Sequence, residues 1–79
     1  MKLKTIDMAA TGRRIHARRE KLNLRVAEVS EAMGLGSLMS VYNWEYGKSL
    51  PTLDNLILLA DVLKCRPMDL IVIKEEQDG

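Results

Sequence analysis

Between Ser37 and Lys48 the chain reads SLMSVYNWEYGK, a stretch whose polar side chains are mostly hydroxyls, with one amide. A helix here takes Val41 and Trp44 as its inward face, with Leu38 extending that stripe one turn earlier. Met39, Ser40, Tyr42, Asn43 and Tyr46 then point outward beside Lys48. The plainer reading is a neutral surface helix of a small bundle, but a merely solvated face would normally carry Glu and Lys. Hydroxyl and amide groups suit base edges and phosphate oxygens instead. The chemistry on offer is recognition by hydrogen bonding.

Catalysis finds no support beside it. The chain shows no paired acid and base, nucleophile site, metal cluster or phosphate-cradling glycine loop, and 79 residues give a core too small to hide an active-site pocket. No enzymatic activity, cofactor or small-molecule ligand is expected. His16 reads as a surface or boundary residue, with no second His, nearby Cys or positioned acid. The single Cys65 excludes an intramolecular disulfide, argues against structural zinc and reads as a small buried hydrophobe. The chain opens without a long apolar run, so neither a signal peptide nor a membrane span is read, and a cytoplasmic protein is expected.

Charge is informative only when divided along the chain. Residues 1–50 hold nine Lys or Arg against five acids, whereas residues 51–79 hold three against six, so a net +1 conceals a basic half and an acidic one. The basic half contains the hydroxyl-rich stretch, as a nucleic-acid footprint on one face would require. Arg13, Arg14, Arg18, Arg19, Lys21 and Arg25 make up most of that charge. They are either a solvated helix face or residues lying along a phosphate backbone.

The elements that must position these groups follow from apolar spacing. Asp7 is a plausible N-cap for a first helix, with Thr11 the alternative, and the helix runs through TGRRIHARREKL to Asn23, burying Met8, Ile15 and Leu22 and presenting Arg13, Arg14, Arg18 and Lys21. In the second, Val26, Val29 and Met33 recur three to four apart while Arg25, Glu28 and Glu31 face away. Gly34 stands where a helix ends in a left-handed residue, Gly36 loosens the same connection, and a turn of three or four residues is expected before Ser37 caps the next helix. Gly47 stops that helix, and residues 48–51 form its exit loop.

The fourth helix, TLDNLILLADVL, has Thr52 as N-cap and Asp54 in its first turn, where a negative charge meets the helix dipole favourably. Leu53, Leu56, Ile57, Leu59, Ala60 and Leu63 give it an apolar face wide enough for the core and a subunit contact. Pro67 suits the first position of a short last helix, PMDLI. The β-branched Ile71, Val72 and Ile73 also suit a strand, so IVIK is matched with KLKTI at the N-terminus, within one chain or across a dimer. One domain over residues 1–79 results, with its core in 7–73. Residues 1–6 and 74–79 are read as flexible or dimer-forming ends, the tail KEEQDG as fraying.

From about Thr11 to Leu70 the chain resembles a Cro-like, XRE-type helix-turn-helix domain of the kind found in short Gram-positive and phage regulators. The residues that carry the likeness are Ile15, Arg19, Leu24, Gly34, Val41, Trp44, Glu45, Gly47, Leu50, Pro51, Leu53, Leu56, Ala60 and Leu63, with the tracts IDMAATGRRI, VYNWEYGKSLP and LDNLILLADVL. The resemblance implies an all-α, lambda-repressor-like bundle of five helices, whose third, about residues 37–46, enters the major groove of double-stranded DNA. It places base contacts on Met39, Ser40, Tyr42 and Asn43, with Tyr46 and Lys48 toward the backbone beside Ser37, Arg13, Arg14 and Arg25. It also implies a structural ion pair of Arg19 with Glu45, and a homodimer on a two-fold-related operator.

Three departures accompany the likeness. Val26 stands where a polar Gln often begins the second helix, Arg18 where a leucine is usual, and the inter-helix turn is one residue longer than the commonest pattern. The expected function is a sequence-specific DNA-binding transcriptional regulator, a repressor acting as a dimer. The alternative is a protein-interaction module on the same fold, an antitoxin or anti-regulator bound to a protein partner. Met39, the two tyrosines, the weak net charge and Val26 motivate it.

Overall fold

At Asp7 the chain changes from strand to helix. The computed structural model describes residues 2–77. It gives β1 (Lys2–Ile6), α1 (Met8–Lys21), α2 (Val26–Met33), α3 (Met39–Glu45), α4 (Leu53–Val62), a 3₁₀ turn (Pro67–Asp69) and β2 (Ile73–Gln77). Asp7 Oδ1 accepts from the Ala10 amide at 2.9 Å, satisfying an orphan donor of α1. Its own amide donates to the Val72 carbonyl at 2.8 Å, which fixes the N-terminal end of α1 against the returning C-terminal segment. Asn23, at φ +56°, lets the chain leave α1 through a left-handed residue, a conformation asparagine tolerates better than most.

The core is aliphatic apart from Trp44. Ile15 of α1, Val26 and Val29 of α2, Val41 and Trp44 of α3, Leu59, Ala60 and Leu63 from α4 and its end, and Leu70 are buried together. Met8 and Leu22, expected inside, are half-buried at its margin. Four helices and a two-stranded sheet replace the expected five-helix bundle. The fifth helix shrinks to one 3₁₀ turn, its start closed where the Asp69 carboxylate accepts from the Arg66 amide at 2.9 Å, because the β-branched run that follows extends instead.

The chain ends pair with each other rather than fraying. β1 and β2 run antiparallel with Lys2 opposite Gln77, Lys4 opposite Glu75 and Ile6 opposite Ile73. The strand therefore takes in KEEQ, read from sequence as a polar tail; Asp78 and Gly79 lie outside the described residues. Across the strands one pair, Lys4 with Glu75, is of opposite charge and one, Ile6 with Ile73, is apolar. The apolar face of α4 is wider than the core covers, as expected: Leu53, 79% exposed, and Ile57 stand outside the part that Leu59, Ala60 and Leu63 complete. Among the described residues no helix is long and apolar enough to cross a membrane.

Candidate nucleic-acid interface

α2 ends at Gly34, whose φ of +70° gives the left-handed cap, and the Leu35 amide returns to the Ser30 carbonyl at 3.0 Å. The buried Ser30 hydroxyl then donates to the Ser37 carbonyl at 2.7 Å. A backbone group of the turn is thus held from inside α2. Ser37 Oγ accepts from the Met39 amide at 3.2 Å, so its hydroxyl proton stays available to an incoming oxygen. Because α3 opens at Met39 rather than Ser37, the turn runs from Gly34 to Leu38, longer than expected. Leu38 sits ahead of the helix, 43% exposed, instead of extending its inward face.

One stripe of α1 sets the placement of α3. Ala9, Gly12, His16 and Arg19 recur three to four apart, and each meets the last turn of α3 or the glycine beyond it. A Cβ built on Gly12 would lie 2.5 Å from the carbonyl oxygens of both Trp44 and Glu45, so only glycine permits this crossing. Gly47, at φ +72°, closes α3 with its Cα turned onto Ala9, and the Lys48 amide caps back to the Asn43 carbonyl at 2.9 Å.

Further along the stripe, Arg19 donates through Nε to Glu45 Oε2 at 2.6 Å and through Nη2 to Oε1 at 2.9 Å, while Nη1 donates to the Leu24 carbonyl at 2.9 Å. His16 Nδ1 lies 2.7 Å from Glu45 Oε1, and its Nε2 3.1 Å from Glu20. Burial pushes the Glu45 carboxyl up, but the hydrogen bonds and charges of Arg19 and His16 outweigh it and hold the group below its ordinary value. The same bond to Glu45 raises Arg19, against a smaller opposing effect of burial. His16, read from sequence as without a role, thus joins α1 to α3. Its position three residues before Arg19 was the available signal.

The outward face of α3 carries a shallow recess lined by Met39, Tyr42, Asn43, Tyr46 and Lys48. Tyr42 and Tyr46 stack one turn apart, ring centroids 6.1 Å from each other and planes inclined by 12°. Tyr42 also leans on the core and is half-buried, whereas Met39 and Tyr46 are 60% and 69% exposed. Ser40 and Asn43 are half-buried on the same helix. Arg25 is exposed at the start of α2, where the Glu28 carboxylate reaches back to its amide at 3.0 Å. Val26, in the place where a bracing amide was missed from the sequence, is buried in the core.

The arginines of α1 divide between two flanks. Arg14 Nη1 donates to the carbonyls of Asp69 and Ile71, at 3.3 and 3.4 Å. Arg18 donates through Nε to the Leu63 carbonyl at 2.8 Å and through Nη2 to that of Lys64 at 2.7 Å, satisfying carbonyls at the end of α4. Arg18 was expected to face solvent or phosphate and is half-buried against the C-terminal segment; Arg14 is exposed, as expected, but on that same side. At 100° per residue, positions 14 and 18 fall on the side of α1 away from the Gly12 stripe. Arg13 falls beside that stripe and is exposed.

A helix, a turn held by an internal side chain and a second helix carrying an open polar face define a helix-turn-helix protein. The Helix-turn-helix (HTH_3) family model matches residues 15–70, and the chain belongs to that family, in its Cro-like, XRE-type form. It is similar to repressor protein C2 of Salmonella phage P22, 36% identical over 56 residues that make up 71% of this chain. The chain spans about a quarter, 26%, of that relative's length. The crystal structure of the restriction-modification controller protein C.AhdI from Aeromonas hydrophila superposes with a TM-score of 0.75 at 26% identity, over 81% of this chain and 96% of that one.

Proposed function

We propose that the protein is a sequence-specific DNA-binding transcription regulator, a repressor acting as a dimer, with α3 in the major groove. The observation that carries this reading is the open face of α3, where Met39, Tyr42, Asn43, Tyr46 and Lys48 line one recess on a helix fixed in the body by buried and charged contacts on its other side. Met39, Ser40, Tyr42 and Asn43 take the base edges, with the Asn43 amide able to donate and accept at once. Ser37, Tyr46, Lys48, Arg25 and Arg13 take the phosphates. Arg14 is left out, because its guanidinium lies with the carbonyls of Asp69 and Ile71. Similarity to a phage repressor and to a controller protein supports the regulatory role.

A mobility-shift titration against the upstream DNA of the protein's own gene and a scrambled duplex, at two salt concentrations, tests the proposal. Preferential binding that weakens steeply with salt is the expected result. The exposure of Met39 and Tyr46 favours a second reading, a surface that receives a protein partner. Absence of any shift at micromolar protein would favour it.

A further inference from the structure

A two-stranded ribbon standing alone in water is marginally stable and gains from a covering layer. In this chain β1 is exposed at every residue, as are Ile73, Lys74, Glu75 and Glu76 of β2, and Leu3, Ile6 and Ile73 offer apolar surface to solvent. The strand alternation puts Lys4 and Ile6 on one face with their partners Glu75 and Ile73. Thr5, Lys74 and Glu76 belong to the other, which borders a recess reaching Ala9 and Gly47; Ile6, at the end of the ribbon, also lines that recess.

We propose that the face bearing Lys4, Ile6, Ile73 and Glu75 is a self-association surface on which the ribbon of a second copy of this chain stacks. This deepens the dimeric reading above by naming the surface. The occupant follows from charge and symmetry. A two-fold axis lying between the stacked ribbons and parallel to their strands places β1 of each copy over β2 of the other at the same height. Lys4 then meets Glu75 of the second copy, and Ile6 meets its Ile73, each contact occurring twice. An axis across the strands would instead set Lys4 over Lys4 and Glu75 over Glu75, which like charges oppose.

The favoured axis has a consequence for the rest of the molecule. The ribbon joins the body at Ile6 and Ile73, where the Asp7 amide meets the Val72 carbonyl. Both bodies therefore hang from the same end of the stack, side by side, as two half-sites on one duplex require. Strands of five residues give a face about 17 Å long, short of a permanent interface, so the association is weak and reversible.

Sedimentation equilibrium without DNA tests this. The wild-type chain is expected to dimerise reversibly, and Lys4→Glu or Glu75→Lys alone to raise the dissociation constant roughly tenfold or more by opposing like charges. An equimolar mixture of the two variants should recover the dimer, because each charge then faces its opposite across copies. A pairing confined to one chain leaves the mixture no better than its parts and overturns the proposal. A wild type monomeric into the millimolar range, or variants that dimerise unchanged, also overturn it. Ile73→Ser alters no charge and gives an independent route, with weakened dimerisation expected and an unchanged dimer counting against the surface. A dimer that fails to shift DNA sinks only the DNA-binding reading; a monomer that shifts DNA sinks only this one.

Discussion

Arg19 Nε and Glu45 Oε2 lie 2.6 Å apart across the crossing of α1 and α3, and the Glu45 side chain is 4% exposed. A charge so enclosed is stabilising only while its partner is present. Removing one member leaves the other desolvated and unpaired, and Arg19→Met or Glu45→Ala is expected to cost about 3 kcal/mol in urea-induced unfolding. The double variant should lose less than the sum of the two. Strict additivity in that cycle would mean that the contact carries no coupling.

The same carboxylate gives a pH dependence of definite sign. Glu45 is held below its ordinary value, because the bonds from Arg19 and His16 outweigh the effect of burial. A carboxyl depressed in the folded state contributes stability that is present above its unfolded pKa and lost as pH falls through the folded one. Stability should therefore decline as pH falls below about 4.5, the ordinary value for the group. Glu28 and Asp69 are lowered as well, chiefly by accepting from the backbone amides of Arg25 and Arg66, but both are exposed and add little. Glu45→Gln should be less stable at neutral pH and show a flatter acid limb in thermal melts. An acid limb of unchanged slope would place the titration elsewhere.

Gly12 is a position where the smallest added group is expected to be costly. A Cβ would meet the carbonyls of Trp44 and Glu45 at 2.5 Å, and those are helix backbone atoms that cannot swing aside. Gly12→Ala raises helix propensity, yet the enforced separation of α1 and α3 should dominate, with a net loss of about 1–3 kcal/mol. Calorimetry of that variant beside Ala17→Gly, an exposed site on the same helix, separates packing from propensity. A gain in stability for Gly12→Ala, mirroring the loss for Ala17→Gly, would deny the close crossing.

The readable parts of the fold were those carried by local periodicity and by residues with one conformational use. Val26, Val29, Val41, Trp44, Leu59 and Leu63 were legible as core because each repeats at helical spacing within its own element. Gly34, Gly47, Asp7 and Thr52 were legible because left-handed closures and N-caps are filled by few residue types. Contacts made far along the chain were not. Arg18 looks like any solvated arginine until α4 ends beside it, and Ser30 looks like a small spacer until the Ser37 carbonyl arrives at its hydroxyl. Leu53 and Ile57 repeat at core spacing but stand outside, since periodicity marks an apolar face without saying what covers it. KEEQ reads as a polar tail because the strand it pairs with, Lys2–Ile6, lies some seventy positions away in the chain.

The proposed interface itself is tested by three substitutions that should fail differently. Asn43 lies on the open face of α3, and its amide can recognise a base edge by two bonds. Asn43→Ala is expected to cost about 1–3 kcal/mol on the preferred duplex and little on a scrambled one, narrowing the gap between them. Lys48 stands at the rim, past the glycine that ends α3, and Lys48→Ala should weaken both duplexes alike while reducing the salt slope by roughly one unit. Arg18 carries the same kind of charge as Lys48 but spends it on the carbonyls of Leu63 and Lys64. Arg18→Ala should therefore lower the melting temperature and leave the salt slope unchanged. Fluorescence anisotropy on both duplexes over a salt series reads all three. If Asn43→Ala weakened both duplexes equally, its contact would be to the backbone; if Arg18→Ala changed the slope, the division of the arginines between two flanks would be wrong.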